Sequence, residues 1–266
     1  MLPATRFVGT VPVLTVRADR IPVMLKALLE VRGEVVRKIG DRLTLAAAVW
    51  LAAGLAVSAF VVWAFAELAD EVVEGESRRF DRVVLLWINN HSPEWLDGPM
   101  RLVTALGYYQ VVVPLLAAAV LAFYLKGWRL TAVLLLVSTA GSSLLTTVLK
   151  AVFGRARPEL FDSGYTASFY SFPSGHATVA AGFYGALTLI LAYRLRGYAR
   201  WAVLACGVSL VLLIGFSRLY LGVHYPTDVL AGYLAAPLWL IFVAVVYVAW
   251  LSVRGLRAAE ARRKGR

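Results

Sequence analysis

Long apolar runs alternate with short polar segments over most of this chain. Leu43 to Ala66 carries no charge over 24 residues, enough to cross about 30 Å of hydrocarbon as a helix. Similar runs cover about Tyr108 to Leu125, Leu130 to Leu149, His176 to Tyr193, Trp201 to about Phe216, and Val229 to about Leu251. The pattern predicts an all-α polytopic membrane protein with six transmembrane helices. Residues 43–252 form the six-helix domain. Residues 1–42 are a basic amphipathic N-terminal segment, and residues 253–266 are a basic tail.

The segments between the runs differ in character. Lys126-Gly127-Trp128-Arg129 and the group Arg194, Arg196 and Arg200 form two basic turns. Residues 151–173 make a polar loop with two prolines and two glycines, and Ser217 to Asp228 reads as a short loop. Between Glu67 and Arg101 the chain is acidic, and Phe80, Val83, Val84 and Trp87 repeat at helical spacing there. That predicts a short amphipathic helix at the membrane interface. From about Pro22, Leu25, Leu28, Val31, Val35 and Ile39 also fall at spacings of three and four. A helix lying on the membrane face fits, and so does a helix packed on the protein itself.

Composition supports the membrane reading. The chain is 60% hydrophobic with mean hydropathy +0.72, beyond the range of a soluble domain of 266 residues. The net charge of +11 is spread over the N-terminus, the short turns and the tail. It does not form one basic face, so nucleic acid is not an expected partner. With six spans both termini share a side. That side holds 19 Lys/Arg and 5 Asp/Glu, against 8 and 11 on the other, which places the termini in the cytoplasm of a cell-membrane protein. The single cysteine, Cys206, allows no internal disulfide, and lies in an apolar run where thiols are usually buried and inert. No CxxC, HExxH or acidic calcium loop is present, so neither a metal site nor a cofactor is expected.

Three short blocks at the edges of the apolar runs carry the candidate chemistry. They are Lys150-x6-Arg157-Pro158, Pro173-Ser174-Gly175-His176, and Ser217-Arg218-x5-His224-x3-Asp228. All fall on the expected extracytoplasmic side, where cations run against the topological bias and a bound anion would explain them. Arg157 and Arg218 offer planar forks for phosphate oxygens, and Lys150 a compact third charge. Each alone could equally be a residue snorkelling to headgroups. Ser174 suits the cap of a helix start, Gly175 lets the backbone approach a ligand, and His176 would stand in the first turn. An ordinary capped helix fits that block as well. His224 and Asp228 are four apart. The carboxylate could accept from one ring nitrogen and leave the other free to attack, or could simply cap the helix. Two of the three histidines fall in these blocks. His91, the third, reads as a solvated loop residue.

Taken together, the blocks resemble the three-part signature of the type 2 phosphatidic acid phosphatase superfamily, at every signature position. The resemblance covers roughly residues 80–250. It implies a phosphatase that works without a metal. His224 then resembles the nucleophile that becomes a phosphohistidine, and Asp228 the residue that orients it. His176 resembles the general acid and base. Lys150, Arg157, Ser174, Gly175 and Arg218 resemble the phosphate cradle. The superfamily also contains soluble haloperoxidases, which the six spans argue against. The expected substrate is a lipid phosphate arriving from the bilayer: phosphatidic acid, phosphatidylglycerol phosphate or undecaprenyl diphosphate. A phosphotransferase using the same intermediate is the alternative within the enzyme class. A transporter or non-catalytic phosphate-binding protein is the alternative outside it, disfavoured by the clean apolar centres of the spans. The pattern says nothing of oligomeric state.

Overall fold

The computed structural model describes residues 6–8, 11–13 and 45–243. The surface helix expected after Pro22 and the basic tail lie outside the described residues. The chain divides into two compact units, residues 1–57 and 58–266. In the first, strands β1 (Arg6–Val8) and β2 (Val11–Val13) pair antiparallel, a short hairpin that the all-α expectation did not contain.

Among the described residues from 45 onward, the regular elements are helices. Helix α1 spans Leu45–Glu74, α2 Arg78–His91, α3 Asp97–Ala105, α4 Tyr109–Leu125, α5 Arg129–Phe153, α6 Gly175–Arg194, α7 Gly197–Tyr220 and α8 Pro226–Val243. Among the described residues, five stretches are long and apolar enough to cross a membrane: residues 52–74 of α1, and α5, α6, α7 and α8. Residues 94–105, which include α3, and α4 meet at a bend of 48° and together make either a sixth, broken span or a re-entrant loop. The bend has a local cause. The backbone turns through Leu106, Gly107 and Tyr108, which leaves α4 with 17 residues, about 25 Å of helix and short of the hydrocarbon thickness.

Several boundaries differ from the sequence pattern. Helix α1 runs past Ala66 to Glu74, because Glu67, Leu68 and Ala69 are good helix formers and a charge ends an apolar run without ending a helix, and it stops at Gly75 with φ +81°. Helix α5 ends at Gly154, φ +58°, whose N–H closes on the Lys150 carbonyl. Helix α7 continues to Tyr220, so Ser217 and Arg218 stand in its last turn and not in a loop. The last turn is favourable for a cation because the helix dipole is negative there. Pro226 opens α8, where its missing N–H costs nothing.

The bundle packs through small residues and satisfied hydroxyls. A Cβ on Gly141, Gly182 or Gly207 would run into Trp239, Ser142 or Thr188, so helix axes approach closely there. In α5, Thr139, Ser142 and Thr146 bond back to carbonyls four residues earlier. Residues 180–185 of α6 form a π-helical turn, and Ser138 of α5 donates to the Gly182 carbonyl at 2.8 Å. Such a turn loosens the helical ladder, and the neighbouring hydroxyl supplies a donor where no water is available. One apolar core joins Val112 and Leu116 of α4, Leu135 of α5, Phe183 of α6 and Ile214 of α7. A second joins Phe65 and Ala69 of α1 to Phe172 and to Ala231 and Ala235 of α8.

The amphipathic helix near residue 80 is present, with its faces assigned by contact. Asp81, Leu85 and Ile88 of α2 are buried, whereas Phe80, Val83 and Trp87 are exposed. Cys206 is also exposed, on the outer surface of α7, contrary to the buried position expected. Close packing at Gly207 makes Gly207→Ala destabilising. Gly98→Ala, in a helix position with nothing within 4 Å, should be neutral or slightly stabilising. Thermal unfolding in detergent would test this, and equal midpoints for the two variants would contradict the packing account.

Candidate active site

Four helix ends meet at one end of the bundle: the C-terminal turns of α5 and α7 and the N-terminal turns of α6 and α8. They carry Lys150, Arg218, the 174–176 block and Asp228, while Arg157 and His224 come from the adjoining loops. The structure therefore brings together all the site residues named from the sequence. A backbone bond ties two of the blocks directly, since the Ser174 N–H donates to the Asp228 carbonyl at 2.8 Å.

His224 is almost fully buried. Its Nδ1 lies 3.3 Å from Asp228 Oδ2, and its Nε2 lies 3.2 Å from Arg157 Nη1. Burial, and then the positive charges of Arg218, Arg157 and Lys150, hold the imidazole well below its ordinary pKa, so it is neutral. A neutral ring with Nδ1–H turned to the carboxylate presents a lone pair at Nε2. The structure also shows the capping alternative. Asp228 Oδ2 accepts from the Tyr225 N–H at 2.8 Å, so the oxygen that lies beside the ring also meets the backbone at the start of α8.

The cations are held by carbonyls and hydroxyls. Lys150 Nζ donates to the Tyr170 carbonyl and, at 3.3 Å, to that of Ser171. Arg157 donates to the carbonyls of Ser168, Phe169 and Val223 at 2.7–2.8 Å. Burial, and then Arg218, bring the Arg157 guanidinium down to about 10, partly offset by Asp228. Phe169 takes φ +63°, an uncommon conformation for a non-glycine residue. Consecutive carbonyls of residues 168–171 thereby meet Arg157 and Lys150 as a collar. Arg218, 2% exposed, donates to Thr104 Oγ1 at 2.7 Å and Tyr165 OH at 3.1 Å.

Ser174 stands at the cap position of α6, but its hydroxyl makes no capping bond, contrary to expectation. The Ser174 hydroxyl, His176 Nε2 and Arg218 Nε are all buried without a hydrogen-bond partner among the described residues. A Cβ on Gly175 would come within 3.9 Å of Lys150 Cε, which puts that backbone beside the cation. The His176 ring packs edge-on to Tyr108 and against Gly107, where a Cβ would lie 2.5 Å from the imidazole. His91 is exposed as expected, though it ends α2 stacked on Trp87. Among the described residues, no group of three His, Cys, Asp or Glu side chains is placed to hold a metal ion.

The chain is similar to several known proteins. The sequence profile of the PAP2 superfamily matches residues 131–252, which contain all three blocks. Phosphatidylglycerophosphatase B of Bacillus subtilis is 37% identical over 144 residues, 52% of this chain and 69% of that one. An undecaprenyl-diphosphatase of Sulfolobus acidocaldarius is 32% identical over 163 residues, 59% of this chain and 73% of that one. The crystal structure of a transmembrane PAP2-type phosphatidylglycerolphosphate phosphatase from Bacillus subtilis aligns with TM-score 0.64 and 27% identity, covering 72% of this chain and 96% of that one.

The chain belongs to the PAP2 superfamily. It is a multi-pass membrane lipid phosphatase, a hydrolase of phosphoric esters or anhydrides. Sequence reasoning about this PAP2 protein passed over several residues that build the site. Arg155 lies inside the x6 gap of the first block and bonds Asp228 and Asp81. Asp81 is the acid on the buried stripe of α2, readable at spacings of four and seven with Leu85 and Ile88. Thr104, Gly107, Tyr108 and Tyr165 approach from segments without any motif. Gly107→Ala should displace His176 and lower phosphate release roughly tenfold, with the gel-filtration profile unchanged. A rate above half that of the parent would show that the ring can shift without loss.

Proposed function

We propose that this phosphatase transfers the phosphoryl group of its lipid substrate to His224 and then to water. The observation that carries the reading is the placement of His224. Nδ1 lies 3.3 Å from Asp228 Oδ2, Nε2 lies 3.2 Å from Arg157 Nη1, and burial with the nearby cations holds the ring below its ordinary pKa. Nε2 attacks phosphorus, and the P–O bond to the lipid breaks. The leaving oxygen takes a proton from His176. His176 then removes a proton from water, which attacks the phosphohistidine and releases phosphate. Lys150, Arg157 and Arg218, with the Ser174 hydroxyl and the Gly175 backbone, surround the phosphoryl oxygens as charge develops. The unpartnered Ser174 hydroxyl and Arg218 Nε supply donors that a phosphate would satisfy. No metal takes part in this scheme.

The substrate we favour is a lipid phosphate that enters sideways from the outer leaflet, with the termini cytoplasmic and the site extracytoplasmic. The site stands at helix ends, where a headgroup would lie, and the exposed Phe80, Val83 and Trp87 of α2 suit an interface. Phosphatidic acid, phosphatidylglycerol phosphate and undecaprenyl diphosphate remain the candidates, the last two matching the names of the relatives above. Phosphotransfer to a second lipid differs only in the acceptor.

Phosphate release by chelator-treated protein in detergent tests the reading. The panel holds the three lipids and glucose 6-phosphate. His224→Ala should fall to background, and the ranking of rates names the substrate. More than a few per cent residual rate would remove His224 as nucleophile, and loss in EDTA restored by a divalent ion would overturn the metal-free scheme. Transfer of labelled phosphate to an added lipid, without release, would make the protein a phosphotransferase. Topology has its own check. In a Cys206→Ser background, a cysteine at Ser163 should react with an impermeant thiol reagent on intact cells, and labelling only after lysis would invert the orientation.

A further inference from the structure

Arg155 differs from the other cations of the site in what it touches. Its Nη1 donates to Asp228 Oδ1 at 2.6 Å and to Thr227 Oγ1 at 2.8 Å, and its Nη2 donates to Asp81 Oδ2 at 2.6 Å. Both carboxylates are fully buried, and the arginine side chain is only 13% exposed. The guanidinium lies over the Tyr225 ring at 4.3 Å, and the Arg155 carbonyl accepts from the Ser171 N–H at 2.8 Å, so backbone and fork are both anchored. Burial works against the charge, but Asp228 and Asp81 outweigh it and raise the guanidinium above its ordinary value.

Asp81 completes the arrangement from α2. Its Oδ1 accepts from the Thr227 N–H at 3.0 Å and its Oδ2 from the Thr227 hydroxyl at 2.8 Å. It thus caps the first turn of α8 from another helix. The two oxygens of Asp228 are then divided. Oδ1 is taken by Arg155, which leaves Oδ2 for the Tyr225 N–H and the His224 ring. A carboxylate pinned at one oxygen and at the adjoining backbone has little freedom to rotate away from the imidazole.

We propose that Arg155, held by Asp81, is a positioning residue that fixes Asp228 against His224. This rests on the reading of His224 as the nucleophile. Arg155 does not serve as a fourth phosphate ligand, because its fork is spent on carboxylates and a hydroxyl. Lysine cannot replace it fully, since one ammonium cannot present two parallel donors to two carboxylates. Removing the cation would leave two buried carboxylates without a counter-charge, and a carboxylate that takes up a proton in response no longer attracts the His224 N–H.

The test is a double-mutant cycle on phosphate release in detergent, with Arg155→Gln, Asp228→Asn and the pair. Arg155→Gln should lower kcat roughly tenfold or more with KM within about twofold of the parent, because it acts through His224 and not on bound phosphate. On the Asp228→Asn background it should cost less than about threefold further, since residues acting as a unit are not additive. Arg155→Lys should recover part of kcat. An unchanged kcat, a raised KM at constant kcat, or full additivity with Asp228→Asn would each overturn the assignment. If Arg155→Gln does not fold, Arg155→Lys keeps the buried charge and is put through the same cycle. His224→Ala in the same assay separates the two failures. If it stays active, the nucleophile is wrong. If it is dead while the Arg155 variants keep kcat, the clamp alone is wrong.

Discussion

Burying positive charge at the end of an apolar bundle is the constraint around which this structure is arranged. An ion removed from water must be given oxygens in fixed positions, or it cannot stay. The cations of the site are provided for in three ways. Lys150 and Arg157 take backbone carbonyls, Arg218 takes Thr104 and Tyr165, and Arg155 takes two carboxylates. The loop from Gly154 to Pro173 owes its path to this requirement, because its carbonyls must turn inward. The left-handed backbone at Phe169 is one local sign of that turning.

Helix polarity adds to the same arrangement. Lys150 and Arg218 stand in the last turns of α5 and α7, where the dipole is negative. The first turns of α6 and α8 come to the same end of the bundle, and their free N–H groups favour an anion. A site built this way has cations stabilised by their own helices and a positive backbone facing the place where phosphate would sit. The antiparallel succession of α5 to α8 is what allows both kinds of helix end to meet there.

The spans were legible in the sequence because lipid imposes a length and an apolar character that few other constraints imitate. The three blocks were legible because Lys150, Arg157, His176, Arg218, His224 and Asp228 lie at run edges in unusual combination. What was hidden depends on long-range pairing. Asp81 and Arg155 are 74 positions apart, and nothing in either local pattern announces the partner. The stripe of α2 was read from its most hydrophobic residues, but in a membrane the apolar side faces outward, so Phe80 and Trp87 are exposed while Asp81 is buried. Ser217 and Arg218 read as loop because a cation ends an apolar run, yet the helix continues through them. The bend at Gly107 and the π turn in α6 are backbone events, and hydropathy does not report backbone.

If Lys150 and Arg157 cradle the phosphate as proposed, the carbonyl collar of residues 168–171 turns ligand binding into an exchange. A phosphate arriving at Lys150 and Arg157 gains only the difference between its own oxygens and the carbonyls it replaces. Small free anions therefore have little advantage over the resting protein, and a lipid must supply much of its own retention through its chains. After hydrolysis the same exchange would run backwards, with the collar competing for the cations and easing inorganic phosphate out.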